Sequence, residues 1–217
     1  MLRDIEDASL AKARASFESA TRDGGVKIGW ASVVVEATRA FAREGRCADL
    51  LVLGQRDPES REAAFVPPDF VESILIESGR PALIVTYVGA PEAIGRVALV
   101  AWKSSRESAR AVSAALPLLR HCERLHVATW TEDDDDEDNG PLNNEGFLRS
   151  HGLVPTMHGS GGTPGDIGDA LLSLAADLSA DLLVMDCYGH ARAREWALGG
   201  ATRSVLGSMT LPVLMSH

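Results

Sequence analysis

The chain has 217 residues and a formal net charge of −10 at pH 7, with 45% hydrophobic and 24% charged residues. This composition is typical of a soluble globular protein, and its acidity argues against nucleic acid or anionic lipid as a main partner. No apolar run approaches the ~20 residues that span a bilayer, the start is too acidic for a signal peptide, and the three cysteines lack Cys-x-x-Cys spacing. We therefore expect a cytoplasmic protein with reduced thiols.

The first 88 residues predict helices alternating with strands. Helical spacing of apolar residues predicts a helix over 5–21, and Ser32 is the predicted N-cap of a second helix that runs to about Gly45. A third helix is expected over 69–77. The apolar run 50–54 is typical of a strand buried on both faces of a parallel sheet, and further strands are expected over 26–30 and 82–87.

After a glycine- and proline-containing linker at 89–95, the alternation continues to the end of the chain. Strands are expected over 97–102, 125–130, 153–157, 182–185 and 213–215, and helices over 105–121, 143–150, 164–179 and 201–208. Ser104 with Glu107 has capping-box spacing, and Thr163 before Pro164 predicts the start of the third of these helices. The acidic run 132–138 is expected to be a solvated loop because its carboxylates repel one another.

An internal repeat organises these elements. The letters ADLLV occur at 48–52 and again at 180–184, and later similarities continue at an offset of 131. We expect a first unit at residues 1–88 that lacks its first strand, first helix and second strand, and a complete second unit at 96–217. The predicted fold is α/β, a Rossmann-like open parallel sheet with helices on both faces, in two tandem repeats.

The strongest candidate site follows the strand at 182–185. Gly189 lies in the loop, and Gly199 and Gly200 lie where the loop enters a helix, an arrangement that lets a phosphate approach backbone N–H groups. Thr202 adds a hydroxyl, and Arg194 or Arg203 a positive charge. The alternative is that the two glycines only make a tight turn.

The spacing of these glycines, with nine residues between Gly189 and Gly199, resembles the nucleotide signature of the universal stress protein family, and the match extends over almost the whole chain. The resemblance implies a five-stranded parallel sheet in a complete unit, a homodimer or tandem pairing through the last strand, and ATP or AMP binding in some members, with magnesium accompanying ATP. It implies that the nucleotide-binding residues of this chain are Ala101, Trp102, Lys103, Met185, Gly189, Gly199, Gly200, Ala201 and Thr202.

Several positions depart from the family pattern. Asp186 stands where the signature opens with glycine, Gly200 stands where serine or threonine is expected, and Lys103 stands where nucleotide-binding members carry an aspartate. In the first unit, Pro68 and Asp69 occupy the positions of the glycine pair, so we expect no nucleotide there. Without an opening strand, the first unit should also leave an edge of its sheet to be covered.

Other constellations are weaker. Only His151 and His158 have a spacing that suggests a histidine metal site, and the more common interpretation of such histidines is a surface role, so no metal is expected. Cys187 is either redox-active or packed as a small apolar residue. No catalytic triad or nucleophile motif occurs in a credible context.

Three functional hypotheses follow. The first is a non-enzymatic universal stress protein with a stress-response or regulatory role and weak adenine-nucleotide binding in the second unit. The alternative is a ligand-free dimerisation or interaction module, and the third is an ATP-using enzyme of the same superfamily. The apolar strand at 211–215 is expected to pair with residues 82–87 or with another chain, because so hydrophobic an edge is rarely left exposed.

Overall fold

The structure is a computed structural model that describes residues 2–22, 25, 27–32, 36–60, 63, 65–89, 93–131, 143–161, 165–187 and 200–217. Helices and strands alternate along most of this chain. The helices are α1 Leu2–Ala20, α2 Ala37–Gly45, α3 Phe70–Ser78, α4 Arg106–Leu119, α5 Asn144–Ser150, α6 Ile167–Asp177 and α7 Gly200–Ser208. The strands are β1 Leu51–Gly54, β2 Ala82–Val85, β3 Val97–Trp102, β4 Arg124–Thr131, β5 Pro155–Gly161, β6 Leu182–Asp186 and β7 Val213–Ser216.

All seven strands belong to one sheet with the order β1-β2-β7-β6-β3-β4-β5. Every neighbouring pair is parallel except β2 and β7, which are antiparallel. The central strands β3, β6 and β7 carry long runs of buried residues on both faces, as expected for strands covered by helices on each side. The predicted fold class, an open and mostly parallel α/β sheet, is confirmed.

Two apolar clusters cover the two faces of the sheet. One face packs against α2, α3, α6 and α7 and includes the fully buried Ile74 and Val205. The opposite face packs against α4 and α5, through residues such as Ala115 and Leu148. Helices α2 and α3 of the first half of the chain therefore share one cluster with α6 and α7, the last two helices of the second half.

The first half of the chain differs from the sequence prediction at its start. Residues 27–32 carry no strand, although one was predicted over 26–30, and Val26 lies outside the described residues. Helix α2 begins at Ala37, not after Ser32, because the Glu36 carboxylate accepts hydrogen bonds from the N–H groups of Thr38 and Arg39. These bonds hold the pKa of Glu36 below its ordinary value.

Helix α1 agrees with its predicted range, but none of its described side chains, over 7–20, is buried. Phe17 is half-buried and packs against Trp30, with ring centroids 5.2 Å apart. Helix α3 ends as the sequence indicates, at a glycine, since Gly79 adopts a left-handed conformation with φ +64°.

In the second half of the chain, two helices begin later than predicted. Ser105, not Ser104, caps α4, because its hydroxyl accepts a hydrogen bond from the Ser108 N–H at 3.1 Å. Asp166 caps α6 through the Asp169 N–H at 3.0 Å, whereas the predicted cap, Thr163, lies outside the described residues with Pro164. Strand β5 begins two residues later than predicted, and the acidic run 132–138 lies outside the described residues.

The antiparallel contact between β2 and β7 relates the two repeats symmetrically. Leu83 pairs with Leu214, and these residues are equivalent in the sequence repeat because they are 131 positions apart. Ala82 pairs with Met215 and Ile84 with Val213, so the equivalent strands cross at a local pseudo-twofold axis. Of the two partners that the sequence left open for the last strand, the structure contains the one in the first half of the chain.

The outer strands of the sheet are β1 and β5 among the residues that the structure describes. Within β1, Leu51 and Leu53 are buried, whereas Val52 on the opposite face is 60% exposed. Strand β1 pairs with β2 on one side, and no described strand lies on its other side, as the sequence predicted for the first unit.

Candidate functional site

The predicted site residues on β3 and β6 lie side by side. The strands are parallel neighbours, with Val100 opposite Val184, so Ala101 and Met185 are the next residues of two adjacent strands. From β3 the chain continues to β4 on one side, whereas β6 lies on the other side. Strand order therefore reverses between β3 and β6, and this reversal creates the crevice in which open α/β sheets bind ligands.

Helix α7 is the next described element after β6, and its Ala201 packs against the apolar cluster that contains Met185 of β6. Its first residue, Gly200, is exposed, and a Cβ atom placed there would meet no atom of the described residues within 4 Å. Ala201 is half-buried, and Thr202 is only 3% exposed, so protein atoms cover its hydroxyl. Backbone N–H groups at the start of a helix can bind an anion, and the residues directly before Gly200, 188–199, lie outside the described residues.

Of four other residues named from the sequence, two are exposed and two lie outside the described residues. Lys103, directly after β3, is exposed, as is Arg203 in α7. Gly189 and Gly199 lie outside the described residues, together with the rest of the segment 188–199. The structure thus places Ala101 and Met185 on neighbouring strands, and the two remaining signature glycines stay predictions.

A close contact between α6 and α7 positions the start of α7. Gly168 is buried, and a Cβ atom there would lie 2.6 Å from the Ser204 Cβ and 2.8 Å from the Ala201 carbonyl oxygen. The Ser204 hydroxyl donates a 2.7 Å hydrogen bond to the Asp169 carboxylate of α6. The sequence alone did not identify Gly168, because a glycine within a helical pattern does not reveal its neighbour.

Carboxylates contribute negative charge near the end of β6. Asp186 is half-buried at the strand end, and Glu72 of α3 is only 7% exposed. Burial, followed by the charges of these two carboxylates, raises the pKa of the Cys187 thiol well above its ordinary value. Cys187 is fully buried and therefore packs as a small apolar residue, which favours that interpretation over a redox-active thiol.

In the first half of the chain, the residue equivalent to Cys187 in the repeat makes an internal contact. Gln55, 132 positions earlier, is 8% exposed, and its Nε2 donates a 3.0 Å hydrogen bond to the Leu206 carbonyl of α7. The Gln55 side-chain oxygen accepts a longer 3.4 Å bond from the Tyr87 N–H. The loop after β1 is thus tied to α7 of the other repeat.

A groove of about 420 Å³ lies next to the β3 end, on the face of the sheet that carries α4 and α5. Its walls come from Trp102, the first half of α4 and the start of α5, including Ser105, Arg106, Asn143 and Phe147. Of the predicted site residues, only Trp102 lines this groove, so the groove adjoins the switch point without coinciding with the space in front of Gly200.

The histidines are arranged differently from the sequence expectation. His158 lies against His126, not His151, and the ring of His151 instead contacts that of Phe147. No group of three or more side chains of metal-ligand type occurs within the described part of the chain. Sequence reasoning missed His126 because its contact with His158 depends on the register of two parallel strands.

None of the helices in the described ranges combines the length and apolar character that crossing a membrane requires.

Comparison with solved structures identifies the fold. The chain superposes on a universal stress protein from Archaeoglobus fulgidus DSM 4304 with a TM-score of 0.75 and 18% identity, covering 98% of this chain and 79% of that one. A putative universal stress protein from Pseudomonas aeruginosa UCBPP-PA14 gives a TM-score of 0.63 and 17% identity, with coverage of 95% and 77%. A protein of unknown function from Pseudomonas aeruginosa PAO1 gives 0.62 and 15%, with the same coverage.

The chain has the universal stress protein fold. The resemblance seen in the signature spacing is thereby confirmed at the level of the fold. Comparisons with protein-family models and with curated proteins gave no significant match.

Within this universal stress protein fold, β3 to β7 form the order β5-β4-β3-β6-β7, so that the first strand of the second half is central. Ala101 of β3 and Met185 of β6 accordingly lie on the two strands between which the strand order reverses. The pairing of β2 with β7 extends this sheet by the two strands of the first half.

Proposed function

We propose that the protein is a universal stress protein that acts without catalysis, in a stress-response or regulatory role, and binds an adenine nucleotide weakly at the switch point of its second half. The observation that carries this proposal is the strand reversal between β3 and β6, and the proposal is supported by Gly200 at the first position of α7, where an added Cβ would meet no atom of the described residues within 4 Å. Both features favour an anionic ligand beyond the carboxyl ends of these strands.

The residues present fit a phosphate group at the backbone. The N–H groups of the first turn of α7, at Gly200 and Ala201, would bind the phosphate, and a Cβ added at Gly200 would meet no atom of the described residues within 4 Å. Ala101 and Trp102 at the end of β3, Lys103 directly after it, and Met185 of β6 would contact the nucleoside. When bound, the nucleotide would supply a charged, adenine-bearing signal rather than a reacting group, with magnesium accompanying ATP.

Two features weaken the expected affinity. The half-buried Asp186 carboxylate stands where the family signature has a glycine, and Glu72 adds a second buried carboxylate near the same strand end. Negative charge at short range opposes a polyphosphate. AMP carries less negative charge than ATP, so these carboxylates should weaken ATP binding more than AMP binding. We therefore expect the affinity for ATP relative to AMP to be lower here than in a site without the two carboxylates.

The test is a thermal-shift titration of the full chain with ATP, ADP and AMP, each with and without magnesium, followed by calorimetry. Free nucleotide at 100 times its Kd stabilises the native state by about 2.7 kcal/mol, which raises the melting temperature of a chain of this size by roughly 5–11 °C. No shift at millimolar concentrations of all three nucleotides would contradict the nucleotide part of the proposal.

A pair of matched variants tests the location. Gly200→Val places a branched side chain at the first residue of α7 and should abolish the nucleotide-dependent rise in melting temperature. Gly207→Val makes the same substitution near the other end of α7, also where no atom lies within 4 Å of an added Cβ, and should keep it. If both variants kept the rise in melting temperature that nucleotide causes in wild type, the ligand would bind elsewhere.

The alternative function is a ligand-free interaction module. The contact of β2 with β7, supported by the Gln55 bond to α7, favours it because this interface joins the repeats whether or not a ligand is present. If nucleotides produce no shift and the two repeats still unfold in one transition, this alternative replaces the nucleotide-binding proposal.

A further inference from the structure

Two histidines form a close pair on β4 and β5, at the edge of the sheet opposite to β1. His126 Nδ1 on β4 and His158 Nε2 on β5 lie 2.9 Å apart, with ring centroids separated by 5.1 Å. The strands are parallel, and His158 stands opposite Ala128, two residues along from His126. Both rings therefore project from the same face, where side chains on neighbouring strands come close together.

The burial of this pair is not explained by hydrogen bonding alone. His126 is only 8% exposed, and its Nε2 atom is buried without a hydrogen-bond partner among the described residues. An imidazole nitrogen left unsatisfied in the interior costs stability that an apolar side chain at the same position would not cost. This unpartnered Nε2 does not face His158, so the nitrogen of His126 that can share a ligand with His158 is Nδ1.

The separation of the two nitrogens matches coordination of one metal ion. Imidazole nitrogens bind first-row divalent ions at about 2.0–2.1 Å, and two nitrogens 2.9 Å apart at that bond length subtend an angle of about 90° at the ion. An angle near 90° is that of neighbouring ligands in square-planar or octahedral coordination. Tetrahedral coordination, which Zn²⁺ prefers, requires a wider separation.

The surroundings permit this coordination. His158 is half-buried on β5, an outer strand of the described sheet, so its ring is the one that adjusts while the buried His126 stays in place. Water can fill the remaining positions from the exposed side, where Thr156 is also exposed. Both rings ligate as neutral imidazoles: the proton between them moves to the far nitrogen of the ring that carries it, and no net charge is created in the protein.

We propose that His126 and His158 form a two-histidine site for a divalent transition metal, Cu²⁺ or Ni²⁺ in preference to Zn²⁺. One charged group opposes it, because the exposed Arg124 guanidinium on the same strand acts electrostatically on His126. The net charge of −10 acts in the opposite sense and favours cations over the molecule as a whole. With two protein ligands, the site is an accessory binding site and not a structural metal centre.

The experiment titrates tag-free, chelator-washed full chain with Cu²⁺, Ni²⁺ and Zn²⁺ salts by calorimetry, and records the electron paramagnetic resonance spectrum of the Cu²⁺ form. We expect one Cu²⁺ per chain with two imidazole nitrogens in the spectrum, and tighter binding of Ni²⁺ than of Zn²⁺. Tighter binding of Zn²⁺ than of Ni²⁺ would overturn the assigned geometry.

Variants locate the ions. His158→Asn on the outer strand should weaken Cu²⁺ binding about tenfold or more and remove the two-nitrogen signature, and His126→Phe should do the same. The control His151→Asn changes a histidine outside the pair and should leave both readouts unchanged. If His126→Phe fails to fold by circular dichroism, the His158 variant decides: wild-type Cu²⁺ affinity in that variant would overturn the proposal.

Arg124→Gln tests whether the ion lies near Arg124, through an expected gain in Cu²⁺ affinity. Removing the guanidinium charge should tighten Cu²⁺ binding and leave the two-nitrogen spectrum unchanged, because Arg124 opposes the ion without ligating it. Weaker Cu²⁺ binding in this variant than in wild type would contradict the assigned position of the ion.

Discussion

The contact between α6 and α7 allows a quantitative prediction at Gly168. In a helix, Gly→Ala normally stabilises by about 1 kcal/mol through propensity. Here the added Cβ would lie 2.6 Å from the Ser204 Cβ and 2.8 Å from the Ala201 carbonyl oxygen, whereas carbon atoms pack best at about 3.5–4.0 Å. The serine carbon and the carbonyl belong to or adjoin the backbone, so the helices must separate by roughly 1 Å.

Such overpacking costs about 1–3 kcal/mol or more. Two contacts under 3.0 Å place Gly168→Ala in the upper half of that range, about 2–3 kcal/mol. After the gain in propensity of about 1 kcal/mol, we expect the free energy of unfolding to fall by about 1–2 kcal/mol. The same change at Gly207 in α7 meets no atom within 4 Å and should instead stabilise by up to about 1 kcal/mol.

Urea unfolding monitored by circular dichroism measures both variants, with the midpoint compared at constant slope. Opposite signs for the two glycines are the expected result. A Gly168→Ala protein as stable as wild type, beside a stabilised Gly207→Ala protein, would show that the close approach of α6 and α7 does not constrain α7. The reasoning about how the first turn of α7 is positioned would then be wrong.

Two further predictions concern a helix start and a titration. Ser105→Ala should lower the free energy of unfolding by about 0.5–2 kcal/mol because it removes the hydrogen bond from the Ser108 N–H. In the same urea experiment, Ser104→Ala should change the free energy of unfolding by less than about 0.5 kcal/mol. Equal effects of the two substitutions would contradict the assigned cap. Burial and the neighbouring His158 lower the pKa of His126 below its ordinary value, so the unfolded chain binds that proton first. The stability that neutral His126 contributes is present above about pH 6.5 and is lost as the pH falls. Urea unfolding at pH 7.5 and 5.5 should therefore show a smaller loss of stability for His126→Phe than for wild type. An equal loss would contradict the lowered pKa of His126.

The sequence predicted the fold well because its strongest signals are local. Continuous apolar runs at 50–54 and 182–185 predicted strands, and these appear as β1 and β6 with small changes at the ends. Burial on both faces is confirmed for β6, but the same prediction for 50–54 is wrong, because Val52 on the outer face of β1 is 60% exposed. The repeat offset also related Leu83 to Leu214 before any contact was known. These patterns depend on period and spacing, which the chain carries in its own letters.

Helix starts were less predictable because neighbouring residues offer similar chemistry. Ser104 and Ser105 are both good caps, and the backbone conformation at Ser105, φ −141° and ψ 155°, decides between them. At α6 the carboxylate of Asp166 takes the role that was assigned to Thr163. Such choices depend on dihedral angles that the sequence does not specify.

Contacts between distant elements could not be predicted at all from spacing. The pair of His126 and His158 depends on the register of β4 and β5, and the bond from Gln55 to the Leu206 carbonyl joins residues 151 positions apart. At the candidate nucleotide site, the sequence named Ala101 and Met185, but only the pairing of β3 with β6 places the two on neighbouring strands.

The symmetric pairing of Leu83 with Leu214 has a consequence for how the protein behaves on dilution. Two separate chains that met through equivalent strands would dissociate as their concentration falls, since association is governed by mass action. Here both strands belong to one polypeptide, so the linker sets a constant effective concentration for their contact. The β2–β7 junction should therefore survive at nanomolar protein, and its strength should be independent of how much protein is present.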